Sequence, residues 1–443
     1  VTIGFARFVP SLVGLAGFGL CAVLWLLGAH ATYDQLLTLW GIVPFRVPFL
    51  DIDGPLSSME CARQGLDVIA ANPCDIEQRP FNYSPVLLSF AWLPLGSADR
   101  VWLGFIVDLL FFCSLATLPP PFSWRETLAR VAASVSTMVV FAVERCNTDV
   151  AVFVLVVLML HLLNRSRFVR ICGYGVGFAG GAIKYYPFIL LALVAKERLR
   201  FAALLAATLI GACVAFYLGY AEQLARTLKL VPFNTAFTDM FGAINLLDGM
   251  FELLRPFAQT VEGAVEAALG VLLPLLIVAL WAFIRLWRAS RVSLALTRLD
   301  EPRSLALLAG ALVICVCFLT SQSVGYRGIF LLLLLPGLAA IGRDSAVGPV
   351  ASAARAAAIG IPVLMWSESI RLIVHLAATG RYPAPAFARL HALADPADLL
   401  AWGAREIAWW LLVVLLLMLL AVFFFDRASS FLRELGGGAR PRA

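Results

Sequence analysis

Three groups of polar residues stand out from a strongly apolar chain because their types and spacing could do chemistry. The first is Phe49-Leu50-Asp51-Ile52-Asp53-Gly54, where two carboxylates two residues apart follow an apolar approach. A carboxylate held at a membrane surface can take a proton from a hydroxyl group, the work of a general base. A solvated-loop or helix-capping role is the competing reading of the same pair. The second is Ile183-Lys184-Tyr185-Tyr186-Pro187, which places a lone cation inside an apolar stretch. Ionisable groups in such segments are costly and mark function by default, although a long amine can also snorkel to the headgroups. Lys184 at an apex flanked by Tyr185 and Tyr186 suits a phosphate, toward which lysine acts as a point charge. The third is the turn Glu144-Arg145-Cys146-Asn147-Thr148-Asp149, which either gathers polar groups at a site or ends two helices and pairs within itself. Tyr326-Arg327 opens a later apolar run, where Arg327 either makes a bidentate phosphate contact or anchors its helix in the headgroups. Arg79 and Tyr83 lie in the polar segment Arg79-Pro80-Phe81-Asn82-Tyr83-Ser84-Pro85. The four histidines form no ligand spacing and no cysteine pattern reads as a zinc site. Cys61 and Cys74 share one polar loop and are the pair to test for a disulfide.

The elements that must position these residues are membrane helices. Hydrophobic residues make up 61% of 443 positions and charged residues 14%, against about 45–50% and about 25% in soluble domains. That balance excludes an ordinary water-soluble fold, and helices are the spanning structure because lipid satisfies no free backbone group. The expected fold is an all-α polytopic bundle of about 11–13 transmembrane segments, each needing about 20 mostly apolar residues. It forms one domain over residues 1–443, with no internal repeat. The net charge of +6 sits in arginines between apolar runs, the topology signal of a bilayer protein and not a nucleic-acid patch.

Placing the basic stretches 125–130, 165–170, 196–200 and 285–303 on the cytoplasmic side orients the chain. The first run, residues 8–27, reads as a retained helix. Residues 28–99 and 221–262 then become large extracytoplasmic loops, the second with interfacial helices. Residues 378–402 form another external loop, and 426–443 a cytoplasmic tail. Spans are expected at 101–118, 128–143, 150–163, 201–220, 263–284, 304–320, 328–341, 351–377 and up to 425. Residues 171–195 have the apolar length of one span, yet both flanks are arginine-rich and belong on one side. A hairpin of two short helices broken at 183–187 removes the conflict, since proline disfavours helix at and before its position. Non-helical backbone at that depth is tolerated where it lines a cavity or is buried in protein.

This order of features resembles the polyprenyl-phosphate-sugar dependent membrane glycosyltransferases of the C superfamily (GT-C fold), and most of all glycosyltransferase family 87, the mannosyltransferase branch. The layout is similar over most of the chain, the sequence only near 47–85, 144–150 and 180–188. Ser84 stands where the family more often has a second proline, and Tyr326-Arg327 where a histidine is commoner. The resemblance implies a hexosyltransferase, mannose favoured, acting on a polyprenyl-phosphate sugar donor and an extracytoplasmic glycan or glycolipid acceptor. Asp51 is then the catalytic base, with Asp53 as fallback, and Lys184 with Arg327 holds the lipid phosphate. Glu144, Arg145, Asn147, Asp149, Arg79, Tyr83, Tyr185 and Tyr326 complete the expected substrate site. The reaction inverts the anomeric centre and requires no cofactor, although the two aspartates could hold a divalent metal weakly. The implied location is a bacterial cell membrane, with both termini cytoplasmic and the site outside. The alternative is a transporter, flippase or ligase for lipid-linked glycans, which would also use a broken hairpin.

Overall fold

The computed structural model describes residues 3–45, 47–230, 239–254, 260–320, 322–380 and 396–435. Among them the architecture is all-helical, with one isolated bridge between Phe241 and Ser323 and no strand. The longer elements in order are α1 (Val9–Leu26), α2 (His30–Leu39), α3 (Leu50–Arg63), α4 (Arg100–Leu115), α5 (Trp124–Ser134), α6 (Thr137–Glu144), α7 (Thr148–Leu163) and α8 (Arg167–Ile183). A 3₁₀ helix (Tyr186–Lys196) leads to α9 (Leu199–Leu228), α10 (Ala243–Leu254), α11 (Val261–Ala289) and α12 (Glu301–Thr320). A second 3₁₀ helix (Gly325–Leu333) precedes α13 (Leu335–Arg343), α14 (Pro349–Met365), α15 (Ser367–Thr379) and α16 (Pro396–Leu435).

A helix that is apolar all round must be buried in protein or in lipid, and the bundle uses both solutions. In its most apolar window α12 is 83% buried, and with α7, α13 and α16 it forms the core. The spans Gly4–Leu26 and Leu199–Leu228 are only 17% buried and turn residues such as Leu20, Val23, Leu204 and Leu218 outward. Apolar surface on that scale belongs against lipid, which makes this a membrane-embedded protein.

Among the described residues four helices are long and apolar enough to cross a bilayer, or up to seven if each bent pair counts as one span. That is fewer than the sequence predicts. Residues 128–143 belong to α5 and α6, which meet at 43° where Ser136 caps the second helix. Residues 328–341 divide into 3₁₀ and α segments at 48°, and 351–377 bend by 65° after Pro362. The 28–99 segment contains α2 and α3 and is less a loop than a folded cap. Its distal part is tied down by a Cys61–Cys74 disulfide and by Arg63, whose guanidinium donates to the carbonyls of Ala91, Leu93 and Leu95. The 221–262 segment continues α9 past a kink at Tyr220 and adds α10, while 231–238 and 255–259 lie outside the described residues. Of the expected loop 378–402, residues 381–395, with His391, also lie outside them. Helix α16 runs to Leu435, so the polar tail starts as helix; 436–443 are outside the described residues.

The hairpin around Lys184 is antiparallel. Gly181 faces Phe188, Gly177 faces Leu191, the Tyr174 hydroxyl donates to the Leu193 carbonyl at 3.1 Å, and Arg170 pairs with Glu197 at 3.1 Å. Lys184 itself is extended (φ −143°, ψ 115°) between the two arms. The close approach requires glycine: a Cβ at Gly181 would lie 2.3 Å from the Phe188 ring. Gly181→Ala is expected to destabilise the protein by about 1–3 kcal/mol through overpacking, read as a lowered unfolding midpoint in detergent; an unchanged midpoint would reject this packing.

Candidate functional site

Asp51 is placed by backbone before its side chain makes a contact. Phe49 precedes α3 in the left-handed region (φ 60°), its ring packed so closely on Gly104 that a Cβ there would lie 2.6 Å away. The Phe49 amide donates to the Glu144 carbonyl at 2.7 Å and the Asp51 amide to the Arg145 carbonyl at 3.0 Å. The first turn of α3 is thereby stitched to the turn between α6 and α7, 94 residues away in the chain. The Asp51 carboxylate, only 5% exposed, accepts from Arg145 Nη2 at 2.8 Å on one oxygen and from Asn147 Nδ2 at 2.5 Å on the other. Arg79 Nη1 stands 3.6 Å from Oδ1 and is itself held by Asp75. The Tyr83 hydroxyl donates to the Asp51 carbonyl at 3.1 Å. Burial, followed by the Asp51 charge, pushes this phenol well above its usual range, so it remains a donor.

From Asp51 the network continues through Asn147 into the hairpin. Asn147 Oδ1 accepts from the Asp149 amide at 3.0 Å, capping α7, and from Lys184 Nζ at 2.8 Å. Lys184 also pairs with Asp149 Oδ1 at 2.9 Å, the atom that accepts from the Tyr186 hydroxyl at 2.7 Å. On the other oxygen of Asp149 stands Arg327 Nε at 3.4 Å, while Arg327 Nη1 donates to Ser323 Oγ at 3.0 Å. Aromatic faces line the cations: Arg145 lies 3.9 Å over the Phe45 ring, Lys184 5.7 Å from the Tyr326 ring and Arg327 5.4 Å from the Tyr186 ring. Two 3₁₀ segments, α3, and the α6–α7 turn therefore meet at one place.

The four cations Arg79, Arg145, Lys184 and Arg327 face three carboxylates, Asp51, Asp75 and Asp149. This cationic excess in a poorly solvated cluster suits an anionic ligand, because Coulomb interactions are stronger there than in water. The Asp51 oxygens each retain acceptor capacity beyond the donor they hold, which a hydroxyl group approaching the site can use.

Several residues expected in the site are elsewhere. Asp53 is one residue pair further along α3, and two positions at 100° each turn it to the opposite face. There it lies 3.5 Å from Arg100 and accepts from the Ile76 amide at 3.2 Å, bracing the folded cap. Glu144 contributes its carbonyl to the stitch, but its side chain lines an apolar cavity. Tyr185 turns toward Ser84 and Thr227, and Tyr186 makes the contact with Asp149 instead. Asp75 and Ser323 join the site unexpectedly, and Tyr186, one of the two tyrosines flanking Lys184, takes the place expected of Tyr185. Asp75 had a signal in its turn four residues before Arg79, and the choice of tyrosine had one in the start of a new helix at Tyr186-Pro187. Among the described residues no group of His, Cys, Asp and Glu is arranged to hold a metal ion.

No family model, curated protein or solved structure matches the chain.

Aspartate caps helices as well as asparagine does, so Asn147→Asp separates capping from the wider network. It places a carboxylate oxygen where Nδ2 now donates to Asp51. Asn147→Asp is expected to cost about 1–3 kcal/mol in detergent unfolding at neutral pH; a change within about 0.5 kcal/mol would reduce Asn147 to a cap.

Proposed function

We propose that the chain is an inverting membrane glycosyltransferase that moves a sugar, mannose favoured, from a polyprenyl-phosphate donor to an extracytoplasmic glycan or glycolipid hydroxyl. The observation that carries this reading is the joining of Asp51 to Lys184 and Arg327 through Asn147 and Asp149. One carboxylate and two phosphate-type cations thus stand on either side of a single amide, set among apolar helices.

In this mechanism the acceptor hydroxyl gives its proton to Asp51 as its oxygen bonds to the anomeric carbon. The bond from that carbon to the phosphate oxygen breaks on the opposite side, and its electron pair leaves with the polyprenyl phosphate. Lys184 and Arg327 receive the developing charge. Their carboxylate partner, Asp149, keeps both cations in position when no phosphate is bound and is the group a phosphate competes with. Arg145 and Asn147 fix the orientation of the Asp51 carboxylate, and Tyr83 fixes its backbone. The catalytic power is positional and electrostatic: the reacting groups are held in place and the leaving phosphate meets fixed charge.

Transfer of radiolabelled sugar from a polyprenyl-phosphate donor to an added acceptor tests the reading. Asp51→Asn is expected to lower turnover by about 10²–10⁴-fold in chain that still folds, and full activity would remove Asp51 as base. Lys184→Ala is expected to weaken apparent donor affinity by about tenfold or more, the scale of one charge-assisted contact; an unchanged value would remove the phosphate role. Sugar uptake into proteoliposomes without transfer would instead place the chain among transporters.

A further inference from the structure

A second site lies behind Asp51, on the other side of the α6–α7 turn. Helices α1 and α2 lean against α4 and the α5–α6 pair, leaving a groove of about 810 Å³ of empty space, its open mouth included. Its walls include Gly17, Leu20 and Trp25 of α1, Leu37 of α2 and Phe105 of α4. Into this apolar space comes one carboxylate, Glu144. Glu144 is 6% exposed, and neither of its carboxylate oxygens has a hydrogen-bond partner. Most buried polar groups are satisfied, and a buried carboxyl group whose oxygens have no partner calls for a hydrogen-bonding group beside it. The neighbouring Arg145 does not serve, since its guanidinium is committed to Asp51.

The groove opens where a lipid would enter it. Helix α1 belongs to the span that is only 17% buried, and Leu20 on its wall is 53% exposed. The occupant that fits a bilayer-facing apolar groove ending in an unfilled acceptor is an amphipathic lipid with a hydrogen-bond donor at its polar end. We propose that this groove binds a hydroxyl-bearing lipid, its chain along α1 and its hydroxyl donating to Glu144. The claim concerns binding and does not rest on the glycosyl-transfer reading. It also gives the site a route to Asp51: Phe49 lines the groove, and its amide is bonded to the Glu144 carbonyl two residues before Asp51.

The probes are a long-chain alcohol carrying a photoactivatable diazirine and its methyl ether, which keeps the chain and removes the donor. With the full chain in nanodiscs, the alcohol is expected to label α1 and α2 about threefold to tenfold better than the ether, the worth of one hydrogen bond. Glu144→Met, which keeps the volume and removes the acceptor, is expected to abolish that preference while the ether still labels. Gly17→Leu plugs the groove at a position where an added Cβ meets nothing within 4 Å, and is expected to reduce labelling by both probes about tenfold. Equal labelling by alcohol and ether in the wild type, a preference that survives Glu144→Met, or full labelling of Gly17→Leu would each overturn the proposal.

Discussion

The side-chain amide of Asn147 links the Asp51 side of the site to the Lys184 side. Its nitrogen donates to Asp51 of α3, and its oxygen accepts from the first turn of α7 and from Lys184 at the tip of the hairpin. Because donor and acceptor ends differ, the amide can serve an anion and a cation at once in only one orientation. A carboxylate in its place would repel Asp51, and an alkyl group would remove one hydrogen bond from each of two buried charges. Such charges are tolerated in a membrane protein only when each is paired and hydrogen-bonded, and the sequence Asp51, Asn147, Lys184, Asp149, Arg327 meets that condition from end to end.

The surrounding helices make the cluster possible through breaks as much as through length. The extended Lys184 between two antiparallel arms, the left-handed Phe49 and the bend at Ser136 each begin or end a helix where a polar group must turn inward. Each break frees backbone groups, and here they are reused: the Glu144 and Arg145 carbonyls at the end of α6 accept from α3. Glycines at 104 and 181 admit the rings of Phe49 and Phe188, so the breaks are closely packed.

Much of the helical architecture was legible in composition and charge, because the cost of exposing backbone and charge to lipid is large and local in sequence. The break at Lys184 followed from arginines on both flanks of one apolar run, and the gathering of Arg145, Asn147 and Asp149 from the brevity of their turn. The number of uninterrupted spans was not legible, since a 43° or 65° bend depends on caps and packing that leave apolar content unchanged. Asp53 and Glu144 were misplaced for a related reason. Which face a side chain takes depends on whether its segment is helical, and the Asp51 segment read as a loop. Asp75 pairs with Arg79 four residues on, within its own turn, whereas Arg79 reaches Asp51 only through the folding of the cap.

The central claim is that a phosphate binds on the hairpin side of Asn147 and an acceptor hydroxyl on the Asp51 side. An experimental structure of the full chain with a non-transferable polyprenyl-phosphonate sugar tests it most directly. Phosphonate oxygens are expected within hydrogen-bond distance of Lys184 and Arg327, with the anomeric carbon turned toward Asp51. A phosphonate bound away from both cations, or an anomeric carbon facing away from Asp51, would contradict it.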